Sequence, residues 1–148
     1  MLRFLKKEPD MVEKDMQVLF GKYLRNHPPK QSEVYELKIC KGTTLPFDKV
    51  KDHQIEALYK INHGSFYHKL TDPPVFAGMN TRFNLKRPFD CFCLVNVPAF
   101  IVIWFYKPRT KKVFIKISIE DFMDLKKREK RKSMTEEMAL EIGKTILI

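Results

Sequence analysis

A chain of 148 residues with 28 Lys+Arg against 18 Asp+Glu, a net charge of +10, is long enough to bury one hydrophobic core without disulfides. Its 44% hydrophobic content excludes a wholly disordered basic tail, and the positive excess points to a polyanionic partner, with nucleic acid ahead of an anionic membrane surface. No run of 18 apolar residues exists to span a bilayer, no lipidation signature is present, and the opening MLRFLKKEPDM puts charge where a signal peptide needs an apolar segment; an intracellular protein without a membrane partner is expected.

Residues 1–10 mix charge with Pro9 and read as a loose arm. From 11 to about 26 the spacing of Val12, Met16, Leu19 and Tyr23, with Phe20 and Leu24 beside them, predicts an amphipathic helix with Asp10 as a plausible N-cap. Glu13 falls at the edge of its apolar stripe, where a carboxylate also suits the helix dipole. His27-Pro28-Pro29-Lys30 stops the helix, and a strand over 33–41 follows. In an extended strand Val34, Glu36, Lys38 and Cys40 share one face, and Tyr35, Leu37 and Ile39 share the other. Glu36 and Lys38 are therefore neighbours. A half-exposed strand with a surface ion pair accounts for them, and so does a metal-dependent hydrolase that holds a cation by the carboxylate and keeps the amine near the attacked phosphate.

After turn residues 41–46, a helix over about 52–62 turns Ile55, Leu58 and Ile61 inward and ends at Gly64. Gln54 shares the Leu58 and Ile61 side, which aims its amide towards the Glu36 face; an ordinary polar residue at a helix start is the other account. Residues 65–70 form a short strand, and the passage from the 33–41 strand through one helix into it predicts a right-handed βαβ unit.

Residues 71–87 are a long loop in which Arg82, Lys86 and Arg87 stand among Phe76 and Phe83, a mixture that suits phosphates and unstacked bases, or a surface loop pinned by its phenylalanines. The runs 88–95 and 99–106, joined by Asn96-Val97-Pro98, predict a hairpin, and AFIVIWFY is apolar on both faces and belongs in a sheet interior. Asp90 shares a face with Phe92 and Leu94, a costly setting for a carboxylate unless it is paired or holds a cation.

A basic turn at 108–112 leads into a strand over 113–117, and Ser118 with Asp121 caps a helix running into KKREKRK. Lys126, Lys127, Arg128, Lys130 and Arg131 form either a nucleic-acid-facing patch or the solvated end of a helix. Ser133 or Thr135 starts a last helix with Met138, Ala139 and Ile142 as its apolar stripe. Cys91 and Cys93 are poorly spaced for a mutual bridge and Cys40 is a third, so free buried thiols are expected. His53, His63 and His68 do not complete a recognisable zinc pattern, and structural zinc is not expected.

Glu36-Leu37-Lys38, Pro46-Phe47, the helix opening His53-Gln54-Ile55-Glu56-Ala57-Leu58, and Pro88-Phe89-Asp90-Cys91-Phe92 together resemble the PD-(D/E)xK nuclease superfamily, within it the Holliday junction resolvase-like proteins of RecU and phage type. The resemblance covers most of the chain from about Glu13 onward, with ELK, HQ and PFD its sharpest parts. It implies an α/β fold over 1–148 as one nuclease-like domain: a single mixed sheet of five or six strands flanked by helices, with C-terminal helices over 119–148. It also implies a Mg²⁺- or Mn²⁺-dependent endonuclease acting on branched or junction DNA as a homodimer, with Glu36, Asp90, the Leu37 carbonyl and Glu13 holding the metal, and Lys38 and Gln54 serving the attacking water and the phosphate.

One departure stands out. Only about six residues separate the first helix from the ELK strand, too few for the two strands, one bearing an aspartate, that the family places there. The resemblance therefore implies a rearranged restriction-endonuclease-like core, in which the hairpin folds beside the ELK strand and Asp90 supplies the missing carboxylate. The alternatives are a non-catalytic DNA-binding or recombination accessory protein that keeps the fold, or an RNA-processing nuclease.

Overall fold

The structure is a computed structural model, and it describes residues 12–69 and 91–148. The strand alternation read from the sequence holds in β1 (Val34–Cys40), which pairs in parallel with β5 (Ala99–Phe105). β5 continues antiparallel to β6 (Val113–Ser118), and β6 antiparallel to β8 (Lys144–Leu147). The result is a mixed four-stranded sheet in the order β1-β5-β6-β8, an α/β arrangement with helices on both faces. β5 runs through its interior, which is why AFIVIWF can be apolar on both sides: Trp104 keeps 2% of its surface and Val102 and Ile103 keep none.

One face is covered by α1 (Glu13–Asn26), which packs Met16 and Phe20 on Leu37, Ile39, Val102, Trp104 and Phe114. The other face carries α2 (Asp52–His63), α3 (Ile119–Arg128) and α4 (Glu136–Ile142), whose Ile55, Leu58, Phe122, Leu125 and Ala139 bury Ile101, Ile103, Ile115 and Ile117. Helix starts follow local chemistry. Ser118 Oγ accepts from the Asp121 amide at 3.1 Å, and Thr135 Oγ1 from the Met138 amide at 3.2 Å. The N-cap of α1 is Val12, whose amide donates to the Asp15 carboxylate at 2.9 Å; Asp10, expected in that role, lies outside the described residues.

Four expectations are corrected. The parallel partner of β1 across the α2 crossover is β5, and β3 (Ser65–Lys69) instead pairs antiparallel with β4 (Cys91–Val95) in a separate two-stranded ladder. The expected hairpin between β4 and β5 does not form, because its connecting groups are bound elsewhere. The Asn96 and Val97 amides donate to the Gly64 and Ile61 carbonyls at the end of α2, and the Pro98 carbonyl takes the Val34 amide. Among the described residues the main sheet accordingly has four strands, not the expected five or six, with β3-β4 and the short β2 (Thr44–Pro46) with β7 (Ser133–Thr135) as separate ladders. Finally, Cys40 is a buried free thiol as expected, but the free thiol of Cys93 is exposed. No helix among the described residues is long and apolar enough to cross a membrane.

The C-terminus of α4 meets β6 with no room to spare. A Cβ added at Gly143 would lie 2.5 Å from Ile115 Cγ2, 2.7 Å from the Ala139 carbonyl oxygen and 2.9 Å from Ile117 Cγ1. Both isoleucines are buried in the core and the carbonyl is already bonded to the Gly143 amide, so none yields freely. Gly143→Ala is expected to destabilise the fold by about 1–3 kcal/mol. Urea unfolding checks this as a lower midpoint at unchanged slope.

Candidate functional site

β1 is the end strand of the sheet among the described residues, and its ladder fixes which groups face outward. The Val34 amide donates to the Pro98 carbonyl at 2.9 Å and the Cys40 carbonyl accepts from the Tyr106 amide at 2.7 Å. Backbone groups of residues 34, 36, 38 and 40 therefore point towards β5, and those of Tyr35, Leu37 and Ile39 point away from it. The Leu37 carbonyl thus projects from the side of β1 opposite β5, between two residues whose side chains carry opposite charges.

Those side chains rise from the α2 face. Lys38 Nζ lies 2.8 Å from Glu36 Oε1, with side-chain exposures of 14% and 23%. Gln54, in the first turn of α2, completes the group: its Nε2 donates to the same Glu36 Oε1 at 2.8 Å, while its Oε1 accepts from the Lys51 amide at 3.0 Å. The amide is held at both ends, one by the helix start and one by the strand. Among the sequence-predicted residues, Glu36, Lys38 and Gln54 are brought together, with the Leu37 carbonyl beside them.

Glu13 is not brought to this group. It is exposed in the first turn of α1, which packs on the Tyr35, Leu37 and Ile39 face, whereas Glu36 and Lys38 project from the other. Helical phase places Glu13 at the edge of the apolar stripe and the resemblance places it near the metal, but neither says which sheet face the helix covers. Asp90, Arg82, Lys86 and Arg87 lie outside the described residues. Among the described residues β4, which begins at Cys91, pairs with β3, and β1 pairs with β5.

A divalent cation asks for oxygen donors, and Mg²⁺ is commonly held by one or two carboxylates with water and substrate oxygens completing the shell. The Glu36 carboxylate and the Leu37 carbonyl fit that chemistry. Among the described residues no group of three or more His, Cys, Asp or Glu side chains is placed to hold a metal by itself.

A second polar cluster, which the sequence did not reveal, sits on the opposite face of the same strand. Glu33 accepts from Lys116 and from the Tyr35 hydroxyl, the latter at 2.5 Å, and Lys116 stands 3.8 Å over the Phe100 ring. Burial raises the Glu33 carboxyl, but the Lys116 and Tyr35 hydrogen bonds and the charges of Lys116 and Lys144 outweigh it and hold it below its ordinary 4.5. Burial and the Glu33 carboxylate push the Tyr35 hydroxyl upward. Lys116 and Glu33 are 83 positions apart and meet only across the folded sheet, so no local pattern announces them. Because the native value is depressed, the stabilisation from Glu33 is complete above pH 4.5 and is lost as pH falls through the lower native value. The stability difference between wild type and Glu33→Gln should accordingly be constant at neutral pH and shrink in acid. Chemical unfolding across that range measures it.

The basic residues at the end of α3 lie on the same side of the sheet as Glu36. Lys126 pairs with Asp52 of α2 at 3.1 Å, and Lys127, Arg128, Lys130 and Arg131 are exposed. No family model, curated protein or solved structure matches the chain. What the site can do therefore rests on its own chemistry.

Proposed function

We propose that the chain is a metal-dependent phosphodiesterase of the PD-(D/E)xK kind with a rearranged restriction-endonuclease-like core, acting on DNA and best suited to branched recombination intermediates. The observation that carries this reading is the convergence of Glu36, Lys38 and Gln54 within hydrogen-bond distance, beside the outward-facing Leu37 carbonyl. Both donors meet Glu36 Oε1, and in this reading the Glu36 carboxylate and the Leu37 carbonyl would hold Mg²⁺ or Mn²⁺, with Asp90 as the further carboxylate that the sequence supplies. When bound, the cation would offset charge on the attacked phosphate. Lys38 then orients the attacking water and balances charge developing on the phosphoryl oxygens. Gln54, anchored by the Lys51 amide, fixes the Glu36 carboxylate. Cutting a junction symmetrically calls for two copies of the site, hence a homodimer.

One observation favours a second reading. Lys38 and Gln54 both bond Glu36 Oε1, which also suits a non-catalytic nucleic-acid-binding module in which the trio is a structural ion pair. Incubating the protein with four-way junction, duplex and single-stranded DNA and with RNA, in Mg²⁺, Mn²⁺ or EDTA, separates the two. Metal-dependent cleavage, strongest on the junction, is expected; binding without cleavage under every condition leaves the accessory module, and cleavage of RNA alone moves the substrate class.

A further inference from the structure

The Glu36 group does not stand alone on its face of the sheet. A cleft of about 510 Å³ opens beside the start of α2, walled on one side by Asp48, Lys51 and Asp52 and on the other by Lys126, Arg131 and Lys132. Its walls are built by contacts distant in sequence. β2 pairs with β7, the Phe47 amide donates to the Lys132 carbonyl at 3.0 Å, and Lys126 reaches Asp52 at 3.1 Å. These ties hold the KKREKRK segment against the start of α2, so that its end faces a cleft of definite shape.

Four cations meet two carboxylates there, and one cation, Lys126, is matched by Asp52. Lys51, Arg131 and Lys132 are exposed at the cleft with only Asp48 to oppose them. The surplus is positive, which suits an anionic ligand. The link to the Glu36 group is a single side chain: Lys51 lines the cleft, its amide holds Gln54, and Gln54 holds Glu36.

We infer that this cleft grips the sugar-phosphate backbone of one nucleic-acid strand, with Lys51, Arg131 and Lys132 on successive phosphates, and delivers the strand to Glu36 and Lys38. The inference rests on the phosphodiesterase reading for what happens to the strand, but not for its binding. Backbone contacts of this kind position a strand without reading its sequence. Lys51, which precedes a helix, is a residue that no motif marks, and Lys132 closes the KKREKRK run. The β2-β7 ladder with the Phe47–Lys132 and Lys126–Asp52 contacts brings both to the cleft.

The test is equilibrium binding of labelled single-stranded DNA, single-stranded RNA and duplex DNA in EDTA, so that cleavage does not interfere, across a salt series. Three proteins are compared: wild type, the triple variant Lys51→Ala/Arg131→Ala/Lys132→Ala, and a control of equal charge loss, Lys14→Ala/Lys22→Ala/Arg25→Ala, on the exposed side of α1 across the sheet. All six side chains are exposed, so neither triple removes core packing. In the cleft variant the slope of log affinity against log salt should flatten by roughly 2 to 3, with affinity falling about tenfold or more, while the control keeps most of its binding. Equal weakening of the two triples would reduce the effect to bulk charge and overturn the cleft. So would unchanged binding in the cleft variant, or binding of wild type to anionic lipid vesicles in place of every oligonucleotide. Preference between the DNA and RNA probes assigns the sugar. If the cleft variant loses binding but wild type cleaves nothing in Mg²⁺ or Mn²⁺, the cleft stands and the nuclease reading falls. If wild type cleaves and the cleft variant binds normally, the reverse holds.

Discussion

Lys38→Ala should lower single-turnover cleavage by about 10²–10³-fold while leaving DNA affinity within a few fold of wild type. The amine is one charge in a chain with a net +10, so its share of phosphate attraction before the reaction is small. In the proposed reaction its value would lie in standing beside the position where charge develops, an interaction stronger in the transition state than in the bound substrate. Its exposure of 14% removes most of the water that would otherwise screen it. Lys38→Arg should not restore turnover, because the guanidinium is bulkier and does not give up a proton. Cleavage unchanged in Lys38→Ala would reduce the Glu36–Lys38 contact to a half-buried ion pair.

Glu36→Gln should be comparably damaging to turnover, lowering it by at least about 10²-fold, and should in addition remove saturable Mn²⁺ binding. Substituting an outer partner of a metal ligand already costs about 10–100-fold, and here the proposed ligand itself would be replaced. The isosteric amide can keep a bond to Gln54, so the start of α2 should stay in place, but it leaves Lys38 without its counter-ion. The expected signature is therefore lost metal binding and lost cleavage with thermal stability little changed. Loss of stability with intact cleavage would mean that Glu36 serves the fold. Titration of Mn²⁺ followed by its electron paramagnetic resonance, alongside a melt, reads both quantities on one sample.

How much of this was legible in the sequence depended on how local the deciding physics was. Period-two alternation put Glu36 and Lys38 on one face, and the helical phase of Ile55, Leu58 and Ile61 aimed Gln54 at them; both are properties of short windows, and both hold. The two-faced apolarity of AFIVIWF likewise placed β5 in the sheet interior. Pairing is a different matter. Asn96-Val97-Pro98 reads as a hairpin connection, yet its backbone groups are taken by the end of α2 and by Val34, which sends β5 to β1 and β4 to β3. β2 and β7 have three residues each, too few for alternation to register, although Leu45 and Met134 are both buried between them and the cleft depends on the ladder. Glu13 shows the same limit from the other side, since the phase of a helix is local but the sheet face that it covers is not.

The metal is the centre of the proposal, and a crystal soaked in Mn²⁺ and measured at a wavelength where manganese scatters anomalously tests it most directly. The expected result is an anomalous peak at about 2.0 to 2.6 Å from a Glu36 carboxylate oxygen and from the Leu37 carbonyl, with the Asp90 carboxylate in the same coordination shell. A map with no peak at Glu36, its Oε1 still shared by Lys38 and Gln54, would contradict a metal-dependent site and leave the trio as part of a nucleic-acid-binding module.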